Sequence, residues 1–172
     1  MKIARVIMTW DCPRNCDMCC NKNLPVEPRP CTLADLADYD QVLLTGGEPT
    51  LYPEKLLDNI MTLRAQSREQ KIYLYTAQFL PAMHGFVPLL DGIQYSLHHP
   101  VTPTELLDFA DFQFLIGKYR GTERTFRLYV DNRITESVLV EPHNWSRVGF
   151  TPWREPSPLP EGEELFVLEE AT

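Results

Sequence analysis

The chain has 172 residues, 44% of them hydrophobic and 23% charged, a composition typical of one globular domain rather than two. It contains no run of 18 apolar residues, and its first ten residues lack the pattern of a secretory signal peptide. We therefore expect a cytoplasmic protein without a membrane partner.

The chain is acidic, with 24 Asp and Glu against 16 Lys and Arg and a net charge of −8. Residues 154–172 alone hold six Glu and one Arg, directly after or among several prolines. The sequence shows no basic stripe that could neutralise phosphates, so duplex nucleic acid is not an expected partner. We predict a core domain over 1–153 and an acidic, proline-rich tail over 154–172 that wraps the surface or is disordered.

Strand-like runs rich in β-branched and aliphatic residues alternate with helix-like stretches. The predicted strands are 3–9, 42–45, 71–76, 92–98, 125–131 and 147–151, with 165–168 as one further edge strand. Helices are predicted over 32–38, 53–67, 79–90, 102–119 and 135–141. This alternation indicates an α/β fold, with parallel strands and with the helices outside the sheet.

The cysteines are crowded near the first strand. Cys12, Cys16, Cys19 and Cys20 fall within nine residues, and Cys31 follows. The spacing C-x3-C-x2-C on one loop suits a soft metal centre, either an iron–sulfur cluster or zinc. A closed zinc site would need a fourth ligand, whereas three thiolates on a four-iron cluster leave one iron open to bind something. Cys20 and Cys31 have no clear role.

A glycine-rich turn, Gly46-Gly47-Glu48-Pro49, follows the second predicted strand at the end where ligands bind in parallel α/β folds. Paired glycines allow close approach of the backbone to a ligand, and the carboxylate of Glu48 could accept a hydrogen bond from a cationic amine. Taken alone, the same four residues also suit an ordinary strand-to-helix turn.

Together, CPRNCDMC after the first strand and TGGEPTLYP after the second resemble the motifs of the radical S-adenosylmethionine (SAM) superfamily. The resemblance implies a partial (β/α)6 barrel across about residues 1–153 and a [4Fe–4S] cluster held by Cys12, Cys16 and Cys19. It also implies that the open iron binds the amino and carboxylate groups of SAM.

The resemblance further implies a set of residues that contact SAM: Met18, Gly46, Gly47, Glu48, Thr76, Ser96 and His98. An aromatic residue is commoner in the family at the position of Met18, and the predicted strand 125–131 lacks the family's glycine-rich motif. Thr76 and Ser96 could instead be satisfied turn residues, and His98 could be a loop residue before Pro100.

The reaction implied is reductive cleavage of SAM to a 5′-deoxyadenosyl radical that abstracts hydrogen from a substrate, an oxidoreductase or lyase activity. The electron would come from a donor such as flavodoxin or ferredoxin. The substrate stays open between a partner protein, as for glycyl-radical activases, and a small molecule, as for 7-carboxy-7-deazaguanine synthases. A non-enzymatic scaffold that binds zinc or an Fe–S cluster is the remaining alternative.

A basic run extends from Lys118 to Arg133 in this acidic chain. It is typical of a solvated helix end and loop. Within it, Arg127 falls in a predicted strand and could point inward to a carboxylate.

Overall fold

The structure is a computed structural model that describes residues 1–14, 16, 19–152 and 158–169, with Cys20 described by its backbone alone. Eight strands form one sheet in the order β2-β8-β1-β3-β4-β5-β6-β7, and every neighbouring pair is parallel. The strands are β1 Ile3–Ile7, β2 Arg29–Cys31, β3 Gln41–Thr45, β4 Lys71–Thr76, β5 Gly92–Leu97, β6 Thr125–Asp131, β7 Arg147–Thr151 and β8 Glu163–Leu168. The α/β prediction with a parallel sheet is confirmed.

The α-helices are α1 Pro53–Gln66, α2 Met83–Phe86 and α3 Pro103–Gly117. Short 3-10 helices lie at Cys20–Lys22, Ala34–Leu36, Pro49–Leu51, Val87–Leu89 and Pro142–Asn144. α3, predicted over 102–119, begins with a capping box: the Thr102 hydroxyl accepts from the Glu105 amide while the Glu105 carboxylate accepts from the Thr102 amide.

The prediction of an edge strand over 165–168 was wrong in position. β8 begins at Glu163 and lies inside the sheet, where it pairs with both β1 and β2. Its acidic residues do not exclude it from the sheet because both are paired. Glu163 lies 2.7 Å from a guanidinium nitrogen of Arg5, and Glu164 pairs with Arg29. Part of the predicted acidic tail therefore belongs to the central sheet.

The predicted helix over 135–141 was also wrong, because the structure has no helix in this segment. A buried amide on α3 holds the segment in an irregular path. Gln113 donates a hydrogen bond to the Leu139 carbonyl at 2.9 Å and accepts one from the Glu141 amide at 2.8 Å. These side-chain bonds replace part of the hydrogen bonding that a helix would otherwise supply.

The order of the strands determines which face of the sheet the helices cover and which face they leave uncovered. Starting at β1, the strands β3 to β7 follow one another across the sheet in the same order as in the chain. Because parallel strands are joined by right-handed crossovers, all of these connections lie on the same face of the sheet. That face carries the apolar core with α1 and α3, including Val6, Leu44, Leu74, Leu56, Ile60, Phe109 and Phe112. The other face carries Arg5, Thr45, Tyr75, Gln94, Arg127 and Tyr129, which line cavities.

Over the part of the chain that the structure describes, no helix combines the length and the apolar character needed to cross a membrane.

The place of β8 in the sheet can be tested at Phe166, which is 7% exposed and contacts the ring of Tyr39 edge-on at 5.5 Å. Phe166→Ala should lower the free energy of unfolding by about 3 kcal/mol, because it removes a buried aromatic ring. Urea denaturation followed by circular dichroism measures the change. Leu139→Ala, at a site 85% exposed, should be nearly neutral. Equal effects of the two substitutions would contradict the packing of β8.

Candidate functional site

One cavity of about 160 Å³ gathers the two sequence motifs at the carboxyl ends of β1, β3, β4 and β5. It is lined by every predicted site residue that the structure describes: Cys12, Cys16, Cys19, Gly46, Gly47, Glu48, Thr76, Ser96 and His98. Met18, the remaining predicted residue, lies outside the described residues. We call this space the cysteine cavity.

The glycine turn packs against the segment that leads to the cysteines. The Gly47 amide donates to the Thr9 carbonyl at 2.7 Å, and the Glu48 amide donates to the Asp11 carbonyl at 2.7 Å. A Cβ on Gly47 would lie 1.9 Å from the Asp11 carbonyl oxygen, and Gly46 has a φ of +126°. The glycines are thus required for close approach of the protein's own backbone, while both residues also line the cysteine cavity.

Glu48 is buried and joins the ends of β3 and β4. Its Oε1 accepts hydrogen bonds from the Thr50 amide at 3.2 Å and from the hydroxyls of Thr50 and Thr76 at 2.8 and 2.6 Å. Its Oε2 accepts from the Ala77 amide at 2.8 Å. Burial raises the pKa of Glu48, and these hydrogen bonds oppose that rise. Oε2 keeps acceptor capacity for one more donor.

Arg14, which is not among the predicted site residues, anchors the cysteine loop, the segment after β1 that carries Cys12, Cys16 and Cys19. Its guanidinium donates to the carbonyls of His98 at 3.0 Å and Pro100 at 2.8 Å, and it pairs with the Glu105 carboxylate. The loop after β1 is therefore tied both to the end of β5 and to the first turn of α3. The buried Nε of Arg14 has no hydrogen-bond partner among the described residues.

Burial shifts the pKa values of two further groups that line the cavity, His98 and Cys12. Burial, then the positive charge of Arg14, lowers the pKa of His98 to about 4, so its imidazole is uncharged at neutral pH. Burial raises the pKa of Cys12 above that of a free thiol. A hydrogen bond from the Arg14 backbone opposes this rise, and the nearby Glu48, Cys16 and Cys19 add to it. Metal binding would have to displace a proton from the Cys12 thiol.

The donor chemistry fits a soft metal centre. Three thiols line one cavity, as sulfur-ligated iron or zinc requires. Cys31 does not join them, since it is buried beyond β8 and lines a separate cavity with Leu168. In the described part of the chain, no three His, Cys, Asp or Glu side chains are placed to hold one metal ion. Residues 15, 17 and 18, between the cysteines, lie outside that part.

A scan against models of protein families found no match to the chain, and a search of curated proteins found none either. Function is therefore inferred from the residues of the cysteine cavity and from the resemblance of its two motifs.

The close approach of the two motifs can be tested at Gly47. Gly47→Ala places a methyl group on the Asp11 carbonyl and should lower the free energy of unfolding by about 3 kcal/mol, measured by urea denaturation. Gly85→Ala is the matched control, because nothing lies within 4 Å of its added Cβ. A Gly47→Ala protein as stable as the control would contradict the contact between the turn and the cysteine loop.

Asp131, at the end of β6, holds the chain that follows the cavity residue His98. Its buried carboxylate accepts from the guanidinium of Arg133 at 3.0 and 2.7 Å and from the His99 amide at 3.4 Å. Burial alone would raise the pKa of Asp131, but the hydrogen bonds from Arg133 and His99 lower it to about 2.

The low pKa of Asp131 predicts a specific acid sensitivity. A carboxyl with a folded pKa of about 2 and an ordinary value of 3.8 stabilises the fold above pH 3.8, and this stabilisation is lost as the pH falls towards 2. Between about pH 5 and pH 3, wild type should lose roughly 1 kcal/mol more unfolding free energy than Asp131→Asn. Urea titrations across this range measure both slopes, and parallel slopes would refute the assignment.

Proposed function

We propose that this chain is a radical SAM enzyme. The observation that carries the proposal is that the three cysteines and the glycine turn, which are distant in the sequence, line one cavity. Neither motif alone specifies this function, because cysteine loops also hold zinc and glycine turns also join strands to helices. Their placement around a common space supports a site in which a sulfur-ligated centre meets a second ligand.

The fold supports the proposal at a coarser level. Six strands added in chain order, with the core and α-helices on one face, have the winding expected of a (β/α) barrel. The opposite face is polar and lines cavities, as the inner face of such a barrel would. We propose that the sheet is the partial (β/α)6 barrel of this superfamily, extended at one side by β8 and β2.

In this proposal Cys12, Cys16 and Cys19 hold a [4Fe–4S] cluster. Such a cluster, when bound and reduced, would supply the single electron for reductive cleavage of SAM to methionine and a 5′-deoxyadenosyl radical. Glu48 Oε2 has acceptor capacity for the SAM ammonium group, and the unused Nε–H of Arg14 suits the SAM carboxylate. Neutral His98 does not compete as a second cation.

The electron donor is a small redox protein such as flavodoxin or ferredoxin, and the enzyme is cytoplasmic. Its reaction class is oxidoreductase or lyase.

A zinc module is the second candidate, because one structural observation favours it. His98 is neutral, lines the same cavity as the three thiols and could complete a Cys3His ligand set. Such a protein would bind zinc without affinity for SAM, and it would leave Glu48 and the glycine turn without a ligand.

The proposal is tested by anaerobic reconstitution with iron and sulfide. The product should be brown, should contain about four irons per chain and, once reduced, should release 5′-deoxyadenosine from SAM, detected by chromatography. Cys12→Ala, Cys16→Ala and Cys19→Ala should each abolish cluster binding and SAM cleavage. A colourless protein that retains zinc and does not cleave SAM would favour the zinc module.

Cys31→Ala is the matched control, because it removes a thiol that lies outside the cysteine cavity. This variant should keep the cluster and the cleavage activity, and so should Cys20→Ala. Loss of the cluster on substitution of Cys31 would overturn the ligand assignment.

A further inference from the structure

A second and larger cavity, of about 360 Å³, opens on the sheet face opposite the helices. It shares Arg5, Thr45, Tyr75 and Gln94 with the cysteine cavity, so the two spaces adjoin. Residues 158–160 and the first residue of β8 close one side of it. We call it the arginine cavity. A molecule seated there would lie next to the proposed site of SAM cleavage.

The arginine cavity contains an unmatched positive charge. Two arginines, Arg5 and Arg127, and one acid, Glu163, line it. Arg5 is already neutralised, because it lies 2.7 Å from Glu163 and its guanidinium stacks on the ring of Tyr75 at 4.8 Å. Among the residues that the structure describes, no carboxylate lies within ion-pair distance of Arg127. The spare charge is therefore that of Arg127.

A third arginine increases this charge at the rim. Arg147 on β7 is the register partner of Arg127 on β6, and its guanidinium lies 5.9 Å from the centroid of the Tyr129 ring. Like charges directly opposite on neighbouring strands repel each other. A chain with a net charge of −8 has acids available to compensate such a pair, yet none does so among the described residues. Both side chains are exposed, so water screens part of this repulsion, but the pair still gives this side of the cavity a positive field.

The remaining lining gives the cavity a shape preference. Gln94 on β5 lies between Tyr75 on β4 and Arg127 on β6 in the register of the sheet. Its amide makes no hydrogen bond within the described part of the chain, and the rings of Tyr75 and Tyr129 line the same cavity. Aromatic walls with the Gln94 amide and the Arg127 guanidinium, unpaired among the described residues, suit a ring-bearing molecule with an oxyanion.

We propose that the arginine cavity binds a small, ring-bearing substrate through its carboxylate or phosphate group, with Arg127 as the oxyanion ligand and Gln94 as a second polar contact. That this molecule is the substrate of SAM-dependent chemistry depends on the proposed function above. The binding site itself depends only on the charges and contacts of the cavity.

The test measures binding to the full-length chain by isothermal titration calorimetry at low ionic strength. The probes are benzoate, phenyl phosphate and the neutral benzamide. At least one of the two anions should bind, and the tighter one identifies carboxylate or phosphate as the preferred group. Benzamide should bind at least about tenfold more weakly, because it lacks the charge that a guanidinium recognises. Equal binding of benzamide, or no binding of either anion, would overturn the proposal.

Arg127→Gln should weaken binding of the preferred anion by about tenfold or more. Arg127→Lys should bind with intermediate affinity, because lysine keeps the positive charge but lacks the two parallel N–H groups with which a guanidinium binds an oxyanion. Arg68→Gln is the matched control. It removes the same charge from an exposed arginine that does not line the arginine cavity, and it should bind like wild type. Thermal unfolding checks that each variant is folded, and Gln94→Leu gives a second, independent loss of affinity. Unchanged affinity in folded Arg127→Gln would refute the assignment.

The outcome separates this inference from the proposed function. If the protein binds an anion but forms no cluster, the result would support the anion site in the arginine cavity and overturn the radical SAM assignment. SAM cleavage in a protein that binds neither anion would do the reverse.

Discussion

The site depends on a contact between two pieces of backbone. Gly47 and Glu48 donate to the carbonyls of Thr9 and Asp11, so the chain after β1 lies directly on the chain after β3. No side chain fits between them, because any Cβ on Gly47 would overlap the Asp11 carbonyl. Hydrogen bonds between backbone groups at this distance leave little freedom, and the loop that carries the cysteines therefore takes its position from the glycine turn. The two motifs behave as one structural unit.

Two charged side chains extend this unit across the sheet. Glu48 connects the turn to the end of β4 through Thr76 and Ala77, and Arg14 connects the cysteine loop to the end of β5 and to α3. A buried charge is tolerated only where hydrogen bonds replace its lost hydration, and both groups meet that condition. Glu48, which the sequence suggests as a ligand contact, thus also holds the framework, and one side chain can do both where an oxygen or N–H is left over.

The sequence was informative where local signals decide the structure. Six strands, α1 and the capping box of α3 follow from hydrophobic runs and end signals that need no tertiary partner. It failed where residues distant in the sequence determine the structure. The ion pair between Arg5 and Glu163 stabilises β8 inside the sheet, and the hydrogen bonds of Gln113 hold the segment 135–141 in a non-helical conformation. The same holds for the site. Motif spacing identified the cysteines and the glycine turn, but nothing near Arg14 in the sequence indicates that it reaches β5.

The winding of the sheet places apolar residues on one of its faces and polar residues on the other. Helices on one face bury the apolar core, so the other face is left to polar residues that would be costly in that core. Around the arginine cavity the sign of the charge is opposite to that of the whole chain. The protein is acidic, yet among the described lining residues two arginines, Arg5 and Arg127, stand against one acid, Glu163, and Arg147 is the neighbour of Arg127 on β7. Net charge governs the approach of a ligand from a distance, whereas the nearest charges govern its binding within a cavity. An anion at the arginine cavity would thus be repelled by the molecule as a whole but held by the wall that it reaches. Such a site favours a small ligand, because a large anionic partner would remain in the field of the acidic surface.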